Sequence, residues 1–280
     1  MDGVIGFFQD LGPNLQLVLD RMPLILDGLQ VTLLTTVLGA MLALVIAFVF
    51  GLAQFSKLMV VRGAARVFVE FFRGTSLVVQ LFWLAFVLPQ LPYPLGFRLE
   101  PLLVGVLALG LNYGAYAAEV VRGSIGSVPK GQFEAISALS LSPARGMFRV
   151  VIPQAWALML PSLSNLWIQL LKGSAIVSTV LLYDIFFQVE QLRDRTGTWF
   201  AYSFALAAYY LIAWLIVILM NGLEIRAKHQ IGRGPALRTA WRSLFQAPGT
   251  TPSGGRKARA VRDRASAAAS GPASMGGGLA

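Results

Sequence analysis

Apolar residues run through this chain in long unbroken stretches, unlike the short alternating or sparse patterns of a soluble domain. Between charged side chains lie five uncharged runs, residues 28–56, 74–97, 101–118, 150–171 and 196–223. Each approaches or exceeds the ~18 to 20 residues a helix needs to cross the hydrocarbon core of a bilayer. Backbone in lipid must satisfy its own hydrogen bonds, and runs this uniformly apolar do so as helices, not as the alternating strands of a barrel. The pattern predicts an all-α, polytopic membrane protein of about five transmembrane helices, over 22–54, 62–88, 99–125, 155–181 and 199–223.

Polar positions inside these spans follow helical spacing. The entry to the first, GLQVTLLTTVLGA, is rich in threonine, whose hydroxyl returns a hydrogen bond to its own helix. Glu70 with Arg73, and Glu119 with Arg122, stand three apart on one helical face. Charges at membrane depth cost about 2.5 to 3.5 kcal/mol each, so these are expected to pair or to reach for the interface. Gly110 and Gly114 form a small-xxx-small pair that admits a neighbouring helix.

One central stretch breaks the apolar pattern. GQFEAISALSLSPARGMFRVVIPQA, residues 131–155, is too polar for a span. After Gly131, the residues QFEAISALSLS repeat Phe133, Ile136 and Leu139/Ser140 at three to four, as a short helix would. Ser142 and Pro143 then read as the N-cap and first turn of a second short helix, PARGMFRVV. Two short helices at a tight angle make a knob between the third and fourth spans. Periodicity alone leaves that knob two fates: lying in the headgroup layer or docking onto a partner.

Composition sharpens the class. The 280 residues are 56% hydrophobic and 13% charged, with a mean hydropathy of +0.67. No cysteine is present and His229 is the single histidine, so disulfides, thiolate metal sites and most acid/base catalysis are out of reach. The chain is not expected to be an enzyme, to bind a metal, or to hold a cofactor of its own. Its N-terminus has no basic n-region and carries Asp2, Asp10 and Asp20, so residues 1–21 are read as a retained external segment. Lys57, Arg62 and Arg66, then Arg122, Lys130, Arg145 and Arg149, then Arg226 and Lys228 fall on one side, which orients the chain N-out and C-in. A transmembrane body over 22–230 is followed by a tail, 231–280, with eight basic residues and one acid from Gly232 onward. Such a tail cannot bury a core and is expected to be disordered and cytoplasmic, near lipid headgroups and not on nucleic acid.

The central stretch resembles the EAA loop of bacterial ABC importer permeases. That pattern is E-A-A, three residues, G, nine residues, then I-x-L-P, and here Glu134-Ala135-Ile136, Ser140 and Val150-Val151-Ile152-Pro153 stand at the same spacing. Ile136 replaces an alanine and Ser140 replaces the glycine, which predicts a turn less free to take positive φ. FFRGTSLVVQLF (71–82), LNYGAYAAEVVRGSI (111–125), VPKGQFEA (128–135) and SNLWIQLLKGSA (164–175) resemble the polar amino acid uptake subfamily, with a nearer likeness to ectoine/hydroxyectoine permeases.

The resemblance implies a permease subunit of a type I ABC importer in the bacterial inner membrane. It implies three partners: a cytoplasmic ATPase dimer that binds the ATP, a second permease subunit, and an external solute-binding protein. The absence of a GxxxxGK[ST] pattern agrees with ATP binding elsewhere. By the same resemblance residues 131–153 form a coupling helix, with Gly131, Phe133, Glu134, Ala135, Ile136, Ala138, Leu139, Ser140 and Pro153 in the contact with the ATPase. Asn112, Glu119, Asn165, Gln169 and Lys172 become candidates for the translocation path, since a zwitterionic solute needs donors and acceptors along its route.

Overall fold

A computed structural model describes residues 11–92, 94–180 and 182–230, and everything it describes is helix, turn or connection, with no strand among the described residues. Helix α1 (Leu11–Asp20) runs through a one-residue turn into α2 (Met22–Ala53). Then come α3 (Met59–Gly74), α4 (Leu77–Phe82) with a π turn Trp83–Val87, α5 (Pro101–Gly126), α6 (Lys130–Ala138), α7 (Pro143–Gly146) and α8 (Ile152–Ser174). A 3-10 turn, Ala175–Val180, leads to α9 (Ile185–Thr196) and α10 (Thr198–Gln230).

Helices α2, α5 and α10 are each long and apolar enough to cross a membrane, and two bent pairs raise the number to five. Those three agree with the first, third and fifth predicted spans. The external segment read for residues 1–21 contains α1, and the tail, 231–280, lies outside the described residues.

The core is built around α5, the most enclosed helix. Gly110 and Gly114 let it approach α2: an added Cβ would meet Leu42 Cδ2 at 2.5 Å and Ile46 Cβ at 2.8 Å. The small-xxx-small reading of that pair therefore holds. Leu109, Ala117 and Val121 of α5 join Ala43 and Ala47 of α2 and Leu163 and Leu170 of α8 in one buried cluster. Thr32 and Thr35 bond the carbonyls of Gly28 and Val31 one turn back, at 3.0 and 2.8 Å, as the sequence suggested. Leu206, Tyr210, Leu215 and Leu219 of α10 stay exposed, the disposition of a lipid-facing surface.

Two expectations about continuity are corrected. The predicted span 62–88 is broken at Thr75 and Ser76, both extended, and its halves meet at 100°. A broken helix leaves carbonyls that lipid cannot satisfy. Here Gln80 Nε2 and Asn112 Nδ2 both donate to the Phe72 carbonyl, at 3.0 and 3.1 Å, and the Tyr116 hydroxyl donates to the Arg73 carbonyl at 3.2 Å. The Arg73 guanidinium lies over the Tyr116 ring, 5.5 Å from its centre. The side chains of α5 thus close the end of α3.

The second correction concerns the central knob. PARGMFRVV is not a separate short helix: α7 passes through a π turn, Met147–Val151, straight into α8. Ser142 occupies the N-cap position without a side-chain bond. One short helix, α6, therefore packs against the root of the fourth span.

Candidate functional site

Three polar groupings stand out from the apolar frame, and each holds residues that the sequence singled out. The first is α6 and the turn after it. Pro129 precedes the helix, and Gly131, Phe133, Glu134, Ala135, Ala138 and Leu139 are all exposed, so the helix presents one side outward almost bare. Leu139 is 71% exposed and Phe133 38%.

The inner side is fixed by three contacts. Ile136 lies against the backbone of Gly146, where an added Cβ would meet Ile136 Cγ2 at 2.5 Å. The Leu141 amide donates to the Ile136 carbonyl at 3.1 Å, and Gln154 Nε2 donates to Gln132 Oε1 at 3.0 Å. Ile136, counted among the partner contacts, therefore points to its own chain and is half-buried. Its replacement of alanine is explained by Gly146, which leaves the space it fills.

The turn itself contradicts the sequence expectation. Ser140 adopts φ 53°, the left-handed region, although serine is less free there than glycine. Pro153 sits in the first turn of α8, on the stem and not on the exposed side of α6. Sequence reasoning missed Phe148, 63% exposed on the π turn beside α6, and Gly146; the close packing of Ile136 could not be read from periodicity.

The second grouping is a stripe along α8. Asn165, Gln169 and Lys172 are exposed at i, i+4 and i+7, with Ser162 one turn earlier. Their opposite neighbours Leu163, Leu166 and Leu170 are buried. Amides and an ammonium turned to lipid are costly, which sets this face apart from the apolar surface of α10. Tyr113 of α5 holds the helix from behind, its hydroxyl donating to the Gln169 carbonyl at 2.8 Å.

The other two path candidates lie elsewhere. Asn112 is 5% exposed and spends its amide on the Phe72 carbonyl, which makes it a clamp of the broken span and not a lining residue. Glu119 enters the third grouping, a polar cleft of about 220 Å³ lined by Gln54, Arg62, Arg66, Glu70, Glu119 and Arg122. There Arg122 donates from both Nε and Nη2 to Glu119, at 2.9 and 2.7 Å, while Arg73 stands 3.8 Å from Glu70. The two acid and base pairs expected from their spacing are thus formed. No group of three or more potential metal ligands occurs among the described residues.

Comparison with known proteins places this arrangement. Residues 39–229 match the family model described as binding-protein-dependent transport system inner membrane component. A probable amino-acid ABC transporter permease protein of Sinorhizobium fredii is 42% identical over 200 residues, covering 70% of this chain and 84% of that one. The L-cystine transport system permease protein of Bacillus subtilis is 32% identical over 213 residues, 75% of this chain and 89% of that one. Among solved structures, an amino acid ABC transporter crystallised with histidines superposes with a TM-score of 0.67 at 32% identity, over 75% of this chain and 96% of that one. The MetNI methionine ABC transporter, 18% identical, shares the fold with a TM-score of 0.62 over 74% and 98% of the two chains.

Proposed function

This chain belongs to the family of binding-protein-dependent transport system inner membrane components, and on that premise we propose how it works as a permease subunit of an amino-acid ABC importer. The observation that carries the pathway is the polar stripe of α8. Asn165 and Gln169 offer both donors and acceptors, and Lys172 offers a cation to a solute carboxylate, on a helix whose other faces are packed or apolar. A second permease subunit facing this stripe would enclose the route. Relatives named for cystine, arginine and glutamine support a polar amino acid as cargo. Ectoine or hydroxyectoine is the narrower proposal, and it rests on the sequence likeness of residues 68–83 and 170–175.

The coupling element is α6. Phe133 and Leu139 supply exposed apolar anchors, Ala135 and Ala138 allow close approach, and Glu134 offers an exposed carboxylate to donors on the partner. Seated in a groove of a cytoplasmic ATPase, α6 would move with it, and its bond and contact to the root of α8 would carry that movement to the stripe. Nucleotide then biases the balance between inward-open and outward-open arrangements of the permease pair. ATP is held by the ATPase and the chain itself holds no cofactor. An external binding protein delivers the solute, and the chain lies in the bacterial inner membrane, N-terminus outside and C-terminus in the cytoplasm.

The native absence of cysteine makes the path directly testable. Single cysteines replacing Asn165, Gln169 and Lys172 should react with a membrane-impermeant thiol reagent and be protected by the transported amino acid, whereas one replacing Leu206 on the apolar face of α10 should not react. Equal labelling at all four positions, without protection, would remove the stripe from the route.

A further inference from the structure

Asp184 belongs to none of the three groupings. It stands in the connection before α9, and it is 1% exposed. One carboxyl oxygen, Oδ1, accepts from the Phe187 amide at 2.9 Å and caps α9; the other, Oδ2, is buried with no hydrogen-bond partner. Three further elements close on this residue. From α2, Gly28 leaves so little room that an added Cβ would lie 2.8 Å from the Asp184 carbonyl oxygen, and the Thr32 hydroxyl accepts from the Ile185 amide at 3.0 Å. The end of α8 brings Ser174, whose hydroxyl donates to the Leu171 carbonyl at 2.7 Å. From α10 comes Tyr209, whose buried hydroxyl lies near Asp184, Ser174 and Thr32 and, like Asp184 Oδ2, has no hydrogen-bond partner.

Among the described residues no cation answers this carboxyl. Among the described residues Asp184 forms no ion pair, and the titratable group facing it is Tyr209; α2 and α8 bring a glycine and hydroxyls. On its own helix, Glu190, Arg193 and Asp194 form an exposed cluster with one another, and Asp27, beside Gly28, is exposed. The start of α9 favours a negative charge there, but by less than loss of hydration disfavours it.

We propose that Asp184 is a proton-binding site at which Oδ2 carries a hydrogen donated to the Tyr209 oxygen. The Tyr209 hydroxyl hydrogen then goes to Ser174, and that of Ser174 to the Leu171 carbonyl. One proton taken from water gives every member of the chain an acceptor. Three elements meet at this chain, so α9 seats between α2 and α10 together with the uptake of that proton. The inference stands independently of the solute and of the route along α8.

The test is infrared spectroscopy of the full chain in lipid nanodiscs near pH 6, where exposed carboxyls are ionised. A protonated-carboxyl stretching band, shifted by exchange into D2O, is expected in wild type and lost in Asp184→Asn, which keeps an oxygen for the α9 cap. The melting temperature of wild type, relative to that variant, should fall as pH rises above about 4, because the folded state binds the proton that the unfolded carboxyl, near 3.8, has released. A band that survives in Asp184→Asn, or equally flat melting profiles, overturns the proposal. So does a melting temperature raised by Na⁺ or K⁺ in wild type alone, which would make the occupant a metal cation. Should Asp184→Asn not fold, Tyr209→Phe reads the same bond: the band moves to higher frequency, and an unmoved band is contradictory.

Discussion

Ile136 fills the space that Gly146 leaves empty, the one apolar contact among the three that seat the exposed helix α6 on the root of the fourth span. A Cβ at Gly146 has nowhere to go but into Ile136, so Gly146→Ala should unseat α6. Overpacking of this kind costs about 1 to 3 kcal/mol. Thermal unfolding in detergent should show the loss, and Ile136→Ala in the same chain should restore much of it. A double variant no more stable than Gly146→Ala would mean that the two residues are not coupled.

Glu134 stands exposed on the outward side of α6, with no ion pair to its own chain among the described residues. Glu134→Lys should therefore leave folding and membrane insertion unchanged while uptake is lost, since its effect falls on a partner. Solute-stimulated ATP hydrolysis by the assembled transporter reports it directly. Stimulation at the wild-type level would detach α6 from coupling.

Along α8, Lys172→Met removes the one cation of the stripe but keeps the length of the side chain. Uptake should fall by about tenfold or more, the equivalent of about 1.4 kcal/mol, with the amount of protein in the membrane unaltered. Unchanged transport kinetics would place the ammonium outside the route.

At the break of the second span, Gln80 and Asn112 both donate to the Phe72 carbonyl. Either Asn112→Leu or Gln80→Leu alone should be partly tolerated, and the double variant, which strips the carbonyl of both side-chain donors, should destabilise by about 1 to 3 kcal/mol. Additive small effects in a denaturation series would show that these bonds do not hold the bend.

How much of this was legible in the sequence follows from how local each determinant is. Three spans, the Gly110/Gly114 approach, the threonine back-bonds and both acid and base pairs depend on residues within a turn or two, and all are found. The bend at Thr75 and Ser76 was hidden inside an uncharged run, because its cause is tertiary: donors on α5, 40 residues away, take up the released carbonyl. The same distance concealed the role of Asn112, which reads as a path residue by chemistry and is a clamp by position. Ile136 and Ser140 misled in another way. Each departs from the family pattern, and the compensation, Gly146 for one and an accepted φ of 53° for the other, is visible in three dimensions alone. Asp184 gave no signal at all, being one acid at the start of a charged helix.

The central claim is that the chain forms an amino-acid path driven through α6. Cells lacking it should be assayed for uptake of labelled glutamine, arginine, cystine and ectoine, with plasmid-borne wild type or Glu134→Lys supplied at equal membrane levels. The account predicts that wild type restores uptake of at least one of these solutes and that Glu134→Lys restores none. Restoration by both proteins alike, or by neither while wild type is present in the membrane, would contradict it.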